Sequence, residues 1–527
     1  MSRKLRLLAA TAMTLLATPT FAQTAAPTQA VEAEPFGPAA AFSFDALAEK
    51  AAELARAPYA ATPATYDKVL EDVTYTEHWK IMFKQAKSLM VNDSPVQFFH
   101  LGTYFRQPVK IYDVQDGQAR EVVYHRDYFD MPEDSPAMAM GDDAGFAGFR
   151  VMRPDFKTDW ISFLGGSYFR TDGALHQYGQ SARALALDTG LATPEEFPRF
   201  TEFYIEHPKE GSESLIVNAL LDSPSVSGAY RIAMTNEDGK GQVMDVQSRL
   251  FFRDGVERLG VAPLTSMFWY SESNRFASAD WRPEVHDTDG LMMISGTGEQ
   301  IWRPLNNPDR VMASSFADQN PQGFGLMQRD RNFENYQDDG VQFHKRPSVW
   351  IEPTSDWGNG AVQLVELPTN DEVFDNIVAF WNPEQKPEAG TEMRFDYRMH
   401  WGVDAPVEMP LARTTATRIG EGGHPGNPRP LDQHKLLVEF TGEPLEGLGL
   451  DEGVEAHITL PKGAELVEEY TTPVQGKDDT WRVQFDIKTT LPTADLRVYL
   501  SDADGTPLTE TWMGQIHPQQ IAYWRQH

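Results

Sequence analysis

The sequence predicts a mostly β protein built from large sandwiches, with little helix. Apolar residues alternate with polar residues over 393–401 and again over 481–487, which is the period of a half-buried strand. Turn sequences rich in Asp, Asn and Gly stand at 236–239, 287–290 and 502–505. Because strands do not alternate regularly with helical patterns, stacked sheets are favoured over βαβ units.

One short helix is predicted before the strands begin. From Phe44 the chain reads FDALAEKAAELARA, and Ser43 stands where an N-cap is expected. The apolar residues that would share one face at the helical period are Leu47, Ala51, Leu54 and Ala55. The preceding residues 23–40 are rich in Ala and Pro and lack periodicity, so a flexible leader is predicted there.

The first 22 residues have the pattern of a secretory signal peptide. Basic residues at positions 3, 4 and 6 precede an apolar stretch over 7–16, and Thr20-Phe-Ala22 offers a small-residue cleavage site. The apolar stretch is too short to cross a bilayer. We therefore expect export, of the Sec type, to the periplasm, and no membrane span in the mature protein.

The length of the chain indicates more than one domain. Its 527 residues exceed the ~250–300 at which a single core usually divides. The predicted boundary is NPEQKPEAGTE at 382–392, where prolines, a glycine and charges interrupt the strand pattern. The alternating strands that follow suit an immunoglobulin-like sandwich, so we predict a large domain at 41–386 and a smaller one at 387–527.

Composition excludes several classes of function. A formal net charge of −31 disfavours binding to nucleic acid or to anionic lipid, whereas a neutral glycan meets no such barrier. The absence of cysteine removes thiol nucleophiles and Cys-ligated zinc. Neither an HExxH zinc motif nor a GxSxG nucleophile elbow occurs, and no metal or other cofactor is expected.

A cluster of carboxylates precedes a predicted buried strand. In LPTNDEVFDNIVAFW, at 367–381, Asp371, Glu372 and Asp375 come directly before the apolar run. A solvated turn is the ordinary explanation. The alternative is a site with paired acids, in which Asp287, also at the edge of a strand-like segment, is the second carboxylate; glycosidases use such pairs.

Tryptophans are concentrated in the same part of the chain. Six of the twelve lie within 269–381: Trp269, Trp281, Trp302, Trp350, Trp357 and Trp381. Aromatic rings stack on the apolar faces of sugars, although large sandwiches also bury tryptophan.

Four long segments resemble a known family. They are GGSYFRTDGALHQYGQSARALALDTG at 165–190, WRPEVHDTDGL at 281–291, NPQGFGLMQRDRNFENYQD at 320–338 and RPSVWIEPTSDWGNGAVQLVELPTNDEVFDNIVAFW at 346–381. Together they resemble the periplasmic glucan biosynthesis protein G/D family (OpgG/OpgD, MdoG-like).

The resemblance implies a fold and a substrate. It implies that 41–386 form a galactose-mutarotase-like β-supersandwich, joined to the C-terminal immunoglobulin-like domain. It also implies a role in the synthesis of osmoregulated periplasmic glucans, whose backbone is β-1,2-linked glucose. The activity it implies is that of an inverting endo-β-1,2-glucanase, which is a glycoside hydrolase that needs no metal.

Site residues follow from the same resemblance. It implies that Asp375 is the general acid, that Asp287 is the general base, and that Glu372 supports the acid by raising its pKa through like-charge repulsion. The residues expected to bind the glucan are Trp269, Tyr270, Trp302, Arg282 and Arg331. The chain departs from the family at Phe343, where a tyrosine is usual, and at Ser271 and Ser273, where Gly and Asn are expected.

Two other functions stay open at the level of sequence. The first is a transglycosylase or cyclising enzyme, in which a glucan hydroxyl replaces water. The second is a non-catalytic glucan-binding partner of an inner-membrane glucosyltransferase. Binding of long β-1,2-glucan without any change in chain length would favour the second.

Overall fold

Strands dominate the structure, a computed structural model that describes residues 36–209, 214–237, 239–275, 278, 280–518 and 521. The predicted signal peptide at 1–22 and most of the predicted leader lie outside the described residues. The prediction of a mostly β protein with large sandwiches is confirmed.

The helices are α1 (Phe44–Arg56), α2 (Asp67–Asp72) and α3 (Tyr75–His78). The strands of the first half are β1 (Ala40–Ala41), β2 (Met82–Phe83), β3 (Leu89–Val91), β4 (Ser94–His100), β5 (Lys110–Gln115), β6 (Gln118–Glu121), β7 (Phe129–Asp130), β8 (Phe146–Met152), β9 (Asp159–Leu164), β10 (Tyr168–Thr171), β11 (Ser181–Arg183), β12 (Leu185–Leu187), β13 (Arg199–Glu206), β14 (Leu215–Asp222), β15 (Val226–Glu237), β16 (Gly241–Phe252) and β17 (Leu259–Ser266).

The strands of the second half are β18 (Phe268–Tyr270), β19 (Val285–His286), β20 (Gly290–Ile294), β21 (Gln300–Pro304), β22 (Met312–Gln319), β23 (Gly323–Met327), β24 (Ser348–Pro353), β25 (Asn359–Glu366), β26 (Ile377–Pro383), β27 (Glu392–Gly402), β28 (Arg413–Glu421), β29 (Gln433–Thr441), β30 (Glu455–Thr459), β31 (Ala464–Pro473), β32 (Thr480–Thr489), β33 (Ala494–Ser501) and β34 (Thr511–Ile516).

Two large sheets face each other across the main core. The first has fifteen strands in the order β1-β6-β5-β13-β14-β15-β16-β27-β24-β23-β20-β21-β34-β33-β30, and the second follows the path β22-β25-β26-β17-β11-β10-β9-β8-β4-β3. Aromatic rings join them: Phe149 of β8 lies 5.2 Å, centroid to centroid, from Phe203 of β13. Burial of these rings supplies the main driving force for the sandwich.

Helix α1 forms as predicted and covers the outer side of the fifteen-stranded sheet. Ser43 caps it by accepting a hydrogen bond from the backbone N–H of Ala46. Leu47 and Ala51 are buried against the sheet. The end of the predicted leader is not free, because Phe36 forms a β-bridge with Val122.

A third, four-stranded sheet, β28-β29-β32-β31, packs over the C-terminal end of the large sheet. The second core between them contains Trp481 and Trp512 together with Trp302 and Trp350. Strand β34 pairs in parallel with β21, so the C-terminal region continues the large sheet. The galactose-mutarotase-like and immunoglobulin-like domain names stay predictions.

The pairing of strand β27 concerns the predicted domain boundary between residues 386 and 387. Its alternating pattern forms a strand as predicted, but it pairs on one side with β16 and on the other with β24. It therefore lies inside the fifteen-stranded sheet. Strands β34, β33 and β30 from the C-terminal region belong to the same sheet, so the domains at 41–386 and 387–527 stay a prediction.

The register of four neighbouring strands sorts side chains onto two faces. Phe98, Phe149, Phe163 and Phe169 are paired in succession across β4, β8, β9 and β10. The next positions along the same strands are also paired in succession: Gln97, Arg150, Ser162 and Arg170. Because successive side chains point to opposite faces, the phenylalanines fill the core and the polar row lies on the outer face.

Candidate functional site

A groove of about 840 Å³ lies along the second sheet, and its lining includes the polar row as well as Phe98 and Phe169 from the row of phenylalanines. Five adjacent strands line it, namely β4, β8, β9, β10 and β11, and segments between 64 and 107 form its other wall. Its size is within the range of small-molecule sites in proteins, about 300–1,000 Å³. With strands spaced ~4.8 Å apart, five strands give the groove a length of about 19 Å.

Polar side chains lie on the floor of the groove. Arg150, Ser162 and Arg170 all line it and belong to the polar row of the register. The Arg150 guanidinium donates a hydrogen bond to Oε1 of Gln97 at 2.9 Å. The floor thus presents N–H and hydroxyl groups to a ligand.

Apolar side chains stand at the mouth of the groove. Tyr104 is 57% exposed, and Met82 and Phe197 are also exposed. Trp79 is half-buried beside them. Rings in such a position can stack on the apolar face of a cyclic ligand.

Asp375 does not line the groove, but its charge interacts with that of Arg170, which does. The residue after it, Asn376, accepts a hydrogen bond from the backbone N–H of Phe268 and donates one to its carbonyl oxygen, at 2.8 and 2.9 Å. This pairing holds Asp375 beside the end of β17. Groove residues reach the same place, because the charges of Arg170 and Asp375 interact.

The carboxyl of Asp375 is strongly desolvated. Burial raises its pKa to about 6, although the positive charges of Arg183, Arg170 and Arg346 oppose the shift. Its Oδ2 atom is buried and has no hydrogen-bond partner among the described residues. Asp375 is therefore a poorly solvated carboxyl surrounded by guanidinium groups.

Glu372 does not cause the raised pKa of Asp375. Its carboxylate accepts a hydrogen bond from Arg282 at 2.8 Å, so it is paired with an arginine and not with Asp375. The contributions that shift the pKa of Asp375 are burial and three arginines. The predicted effect of Glu372 on the acid is thus corrected: burial, not like-charge repulsion, raises the pKa of Asp375.

Asp287 is brought to the same region by backbone pairing. Its N–H donates to the carbonyl of Met267 at 2.8 Å, next to the residue that Asn376 holds. Its buried carboxylate forms an ion pair with Arg346. Because Arg346 also interacts with Asp375, the fold gathers both predicted carboxylates around one arginine.

The three aromatic residues predicted to stack on sugar differ in how much of each side chain is exposed to solvent. Trp302 is 4% exposed and belongs to the second core, with the Arg329 guanidinium 3.7 Å from its ring centre. Tyr270 is fully buried and donates its hydroxyl proton to the carbonyl of Arg282. Trp269 is half-buried. Among the three, it alone offers part of its surface to solvent.

The two arginines predicted to bind the glucan form ion pairs and hydrogen bonds with other residues of the protein. Arg282 is buried and pairs with Asp280, Asp338 and Glu372. Arg331 donates to the backbone carbonyls of His344, Arg346 and Val403. The first organises the acidic loops and the second ties together three chain segments, and their predicted contact with a glucan stays a prediction.

The three residues at which the chain departs from the family pattern are all buried. Phe343 is buried, with the guanidinium of Arg346 4.3 Å and that of Arg282 5.8 Å from its ring centre. The side chains of Ser271 and Ser273 are buried and bond each other at 3.1 Å. Phe343 therefore packs against both arginines that hold the acidic residues.

Exposed apolar groups near Asp375 were missed as candidate contacts. Trp281 is 74% exposed, and Val373 and Phe374 are exposed as well. The Arg282–Glu372 ion pair joins the two segments that carry them. A tryptophan within the polar sequence SADWRPE, which shows no strand alternation, was the available signal.

The family model and the curated relatives that match this chain describe the same kind of protein. A family model described as "Periplasmic glucan biosynthesis protein, MdoG" matches residues 42–516. Glucans biosynthesis protein D 2 of Ralstonia nicotianae is 48% identical over 499 residues, 92% of each chain. Glucans biosynthesis protein D of Xanthomonas oryzae pv. oryzae is 44% identical over 518 residues, 97% of this chain and 96% of its own. Glucans biosynthesis protein D of Xylella fastidiosa is 45% identical over 489 residues, 90% of each chain.

A solved structure of a polysaccharide lyase overlaps 71% of this chain and 44% of its own, at 10% identity. Its TM-score is 0.22, which is too low to support a conclusion about fold or function.

These descriptions correct one prediction. The family model and the curated relatives name a biosynthesis protein of periplasmic glucans, and none of them names a glycoside hydrolase or another catalytic function. The prediction of a hydrolase or transglycosylase is therefore wrong. The comparisons do not test the individual site residues, Asp375, Asp287 and Glu372. No helix among the described residues is long and apolar enough to cross a membrane.

Proposed function

Because the chain belongs to the MdoG family of periplasmic glucan biosynthesis proteins, we propose that it is a non-catalytic component that binds a β-1,2-linked glucan chain in its groove. The observation that carries the proposal is the continuous groove across five strands, which contains both aromatic rings and polar side chains. The β-1,2 linkage rests on the sequence resemblance.

The chemistry of the groove suits a glucan. Sugar rings have apolar C–H faces and polar rims, so they bind where aromatic rings and hydrogen-bonding groups converge. Tyr104 and Trp79 supply the rings, and Arg150 and Ser162 supply the polar contacts. A length of about 19 Å accommodates several sugar units, which favours a chain over a single sugar.

The proposed role in the cell is to hold nascent chains. An inner-membrane glucosyltransferase would release glucan into the periplasm, and this protein would receive it there. Binding without cleavage would keep the product extended and protect its length during later assembly.

The experiment is a titration of the full mature chain with linear β-1,2-glucan, followed by calorimetry, with β-1,4-glucan of equal length for comparison. We expect binding to the first and little binding to the second, and chromatography should show unchanged chain lengths afterwards. Failure to bind any β-1,2-glucan would refute the proposal.

Tyr104→Ala should weaken binding by about threefold to tenfold, because one stacking ring contributes about 0.5–1.5 kcal/mol. The matched control is Tyr470→Ala, since Tyr470 is 51% exposed but lies on β31 of the C-terminal sheet. Equal affinity of the two variants would place the glucan outside the groove.

A further inference from the structure

The C-terminal region has an open side at which two sheets end. Strand β30 is the last strand of the fifteen-stranded sheet, and β31 is the last strand of the four-stranded sheet. The two strands are joined by residues 460–463 alone, and the next strands inward, β32 and β33, are joined by 490–493. The free edges of both sheets therefore lie on the same side. No other described strand pairs with either edge.

Strand β31 is the longer of the two edge strands. It has ten residues, whereas β30 has five. In a strand that is bonded on one side, about half of the backbone N–H and C=O groups point away from the sheet. Edge strands in natural proteins are commonly short or covered, because these free groups can pair with another strand. The length of β31 thus offers room for one added strand.

Apolar side chains of β31 are exposed to solvent. Leu466, Val467 and Tyr470 are 40%, 48% and 51% exposed. Leu466 is paired with Ile487, which is buried in the second core, so an added strand would cover Leu466 and extend that core. Tyr470 is paired with Gln484 and points to the opposite face. An added strand would therefore bury apolar surface on both faces of the sheet.

The charge of β31 decides which kind of strand can be added. The strand contains Glu465, Glu468 and Glu469 and neither lysine nor arginine. Glu465 and Glu469 are exposed and form no ion pair with any described residue. A second copy of β31 would bring like charges together, which is unfavourable. A strand that carries lysine or arginine would instead pair with these carboxylates.

Strand β22 is an edge strand without these properties. It ends the second sheet and has eight residues. Its one carboxylate, Asp318, accepts a hydrogen bond from the backbone N–H of Gly296 at 2.9 Å. Its large apolar side chains, Met312 and Phe316, are half-buried. Strand β22 therefore serves as an internal control for β31.

We propose that β31 binds an extended, positively charged segment of another protein as an added strand. Lysine or arginine side chains of that segment pair with Glu465 and Glu469, and its apolar side chains cover Leu466 and Tyr470. The surface is separate from the groove, whose lining residues all lie within 64–199. The proposal thus goes beyond glucan binding and does not depend on it.

The probe is a peptide of ten residues, the length of β31, that alternates lysine and valine and is blocked at both ends. One comparison peptide has glutamate in place of lysine. The other keeps lysine but carries N-methyl groups on two adjacent central residues. Because adjacent N–H groups point to opposite edges of a strand, the methylated peptide keeps its charge but cannot pair along either edge.

The binding of each peptide to the full mature chain is measured by fluorescence anisotropy. At low salt we expect the lysine peptide to bind at least about tenfold more tightly than either comparison peptide, and added salt should weaken its binding. Hydrogen exchange gives the location. The bound lysine peptide should slow exchange at 464–473 and leave exchange at 312–319, the residues of β22, unchanged.

A double variant tests the assigned carboxylates. Glu465→Gln together with Glu469→Gln should weaken binding of the lysine peptide by about threefold to tenfold, because two exposed ion pairs are lost. The matched control is Glu384→Gln together with Glu388→Gln, which removes two exposed carboxylates from the connection between β26 and β27. The control should bind the lysine peptide as wild type does.

Several results would overturn the proposal. Equal affinity for the lysine peptide and its methylated form would show attraction by charge without strand addition, and equal affinity for the glutamate peptide would remove the role of charge. Wild-type affinity in the Glu465 and Glu469 double variant would overturn the assignment to β31. A protein dimer, detected by light scattering and disrupted by Leu466→Lys, would mean that a second copy occupies the edge. Failure of the lysine peptide to bind would also refute strand addition, and glucan binding would be unaffected.

Discussion

Glu372 and Asp375 are three residues apart and have different environments. Glu372 is half-buried and pairs with Arg282, whereas the carboxyl of Asp375 is desolvated and its pKa is raised to about 6. The raised pKa of Asp375 depends on the residues that surround its carboxyl, not on its position in the sequence. The sequence spacing identified the two carboxylates as candidates, but it did not show that burial raises the pKa of Asp375.

Trp281 is expected to extend the glucan site beyond the groove. Because it is 74% exposed, Trp281→Ala should leave thermal stability unchanged, and it should weaken binding of long β-1,2-glucan by about threefold to tenfold through loss of one stacking ring. Calorimetry with long and short chains would measure this. Leu450→Ala, at 68% exposure in the C-terminal region, is the control. An unchanged affinity for long chains would mean that the bound glucan does not contact Trp281.

At the scale of elements, alternation in sequence predicted strands well. The pattern over 393–401 became β27 and that over 481–487 became part of β32. The pattern did not reveal which strands would be neighbours. Strand β27 joined the large sheet because β16 and β24, far away in sequence, bond to its two edges.

Gly148 is expected to be essential for the floor of the groove. In β8, a Cβ at this position would lie 2.1 Å from the carbonyl oxygen of Phe163. Gly148→Ala should therefore destabilise the protein by about 1–3 kcal/mol, as measured by chemical denaturation. Gly420→Ala is the control within a strand, because nothing lies within 4 Å of its added Cβ. Equal stabilities would show that β8 and β9 can separate without penalty.

His286 is expected to make stability depend on pH. Burial lowers its pKa, but Glu284 and Asp289 outweigh this effect and raise the pKa to about 9. The unfolded chain releases that proton near pH 6.5. The resulting stabilisation is complete below about pH 6.5 and is lost as the pH rises through 9.

Thermal melts from pH 6 to 9.5 would test this. The Tm of wild-type protein should fall across that range, and His286→Gln should show a shallower fall. His400→Gln, which removes a ring 3.1 Å from Glu352, is the control and should keep the wild-type slope. Parallel curves for His286→Gln and wild type would contradict the assignment.

At the scale of the molecule, buried ion pairs connect regions that the sequence separates. Arg329, after β23, forms two hydrogen bonds at 2.6 and 3.0 Å to the fully buried carboxylate of Glu510, just before β34. The same guanidinium covers Trp302. This contact links the main sandwich to the C-terminal region.

Arg329→Ala should destabilise the protein by about 3–5 kcal/mol, because it leaves a buried carboxylate unpaired. Arg398→Ala, which breaks the surface pair with Asp245, should change stability by about 1 kcal/mol or less. Urea denaturation of both variants gives the comparison. Similar losses would show that Glu510 finds another partner.

The sequence by itself determined the local periodicities and the family. Strand alternation, the Ser43 cap of α1 and the four family segments are properties of neighbouring residues, and all could be recognised without coordinates. Only the tertiary structure decided which rings meet solvent and which carboxylates are desolvated. Arg282 meets Glu372 across 90 positions and Arg346 meets Asp287 across 59. Burial and ion pairing arise from such distant contacts, which local patterns do not contain.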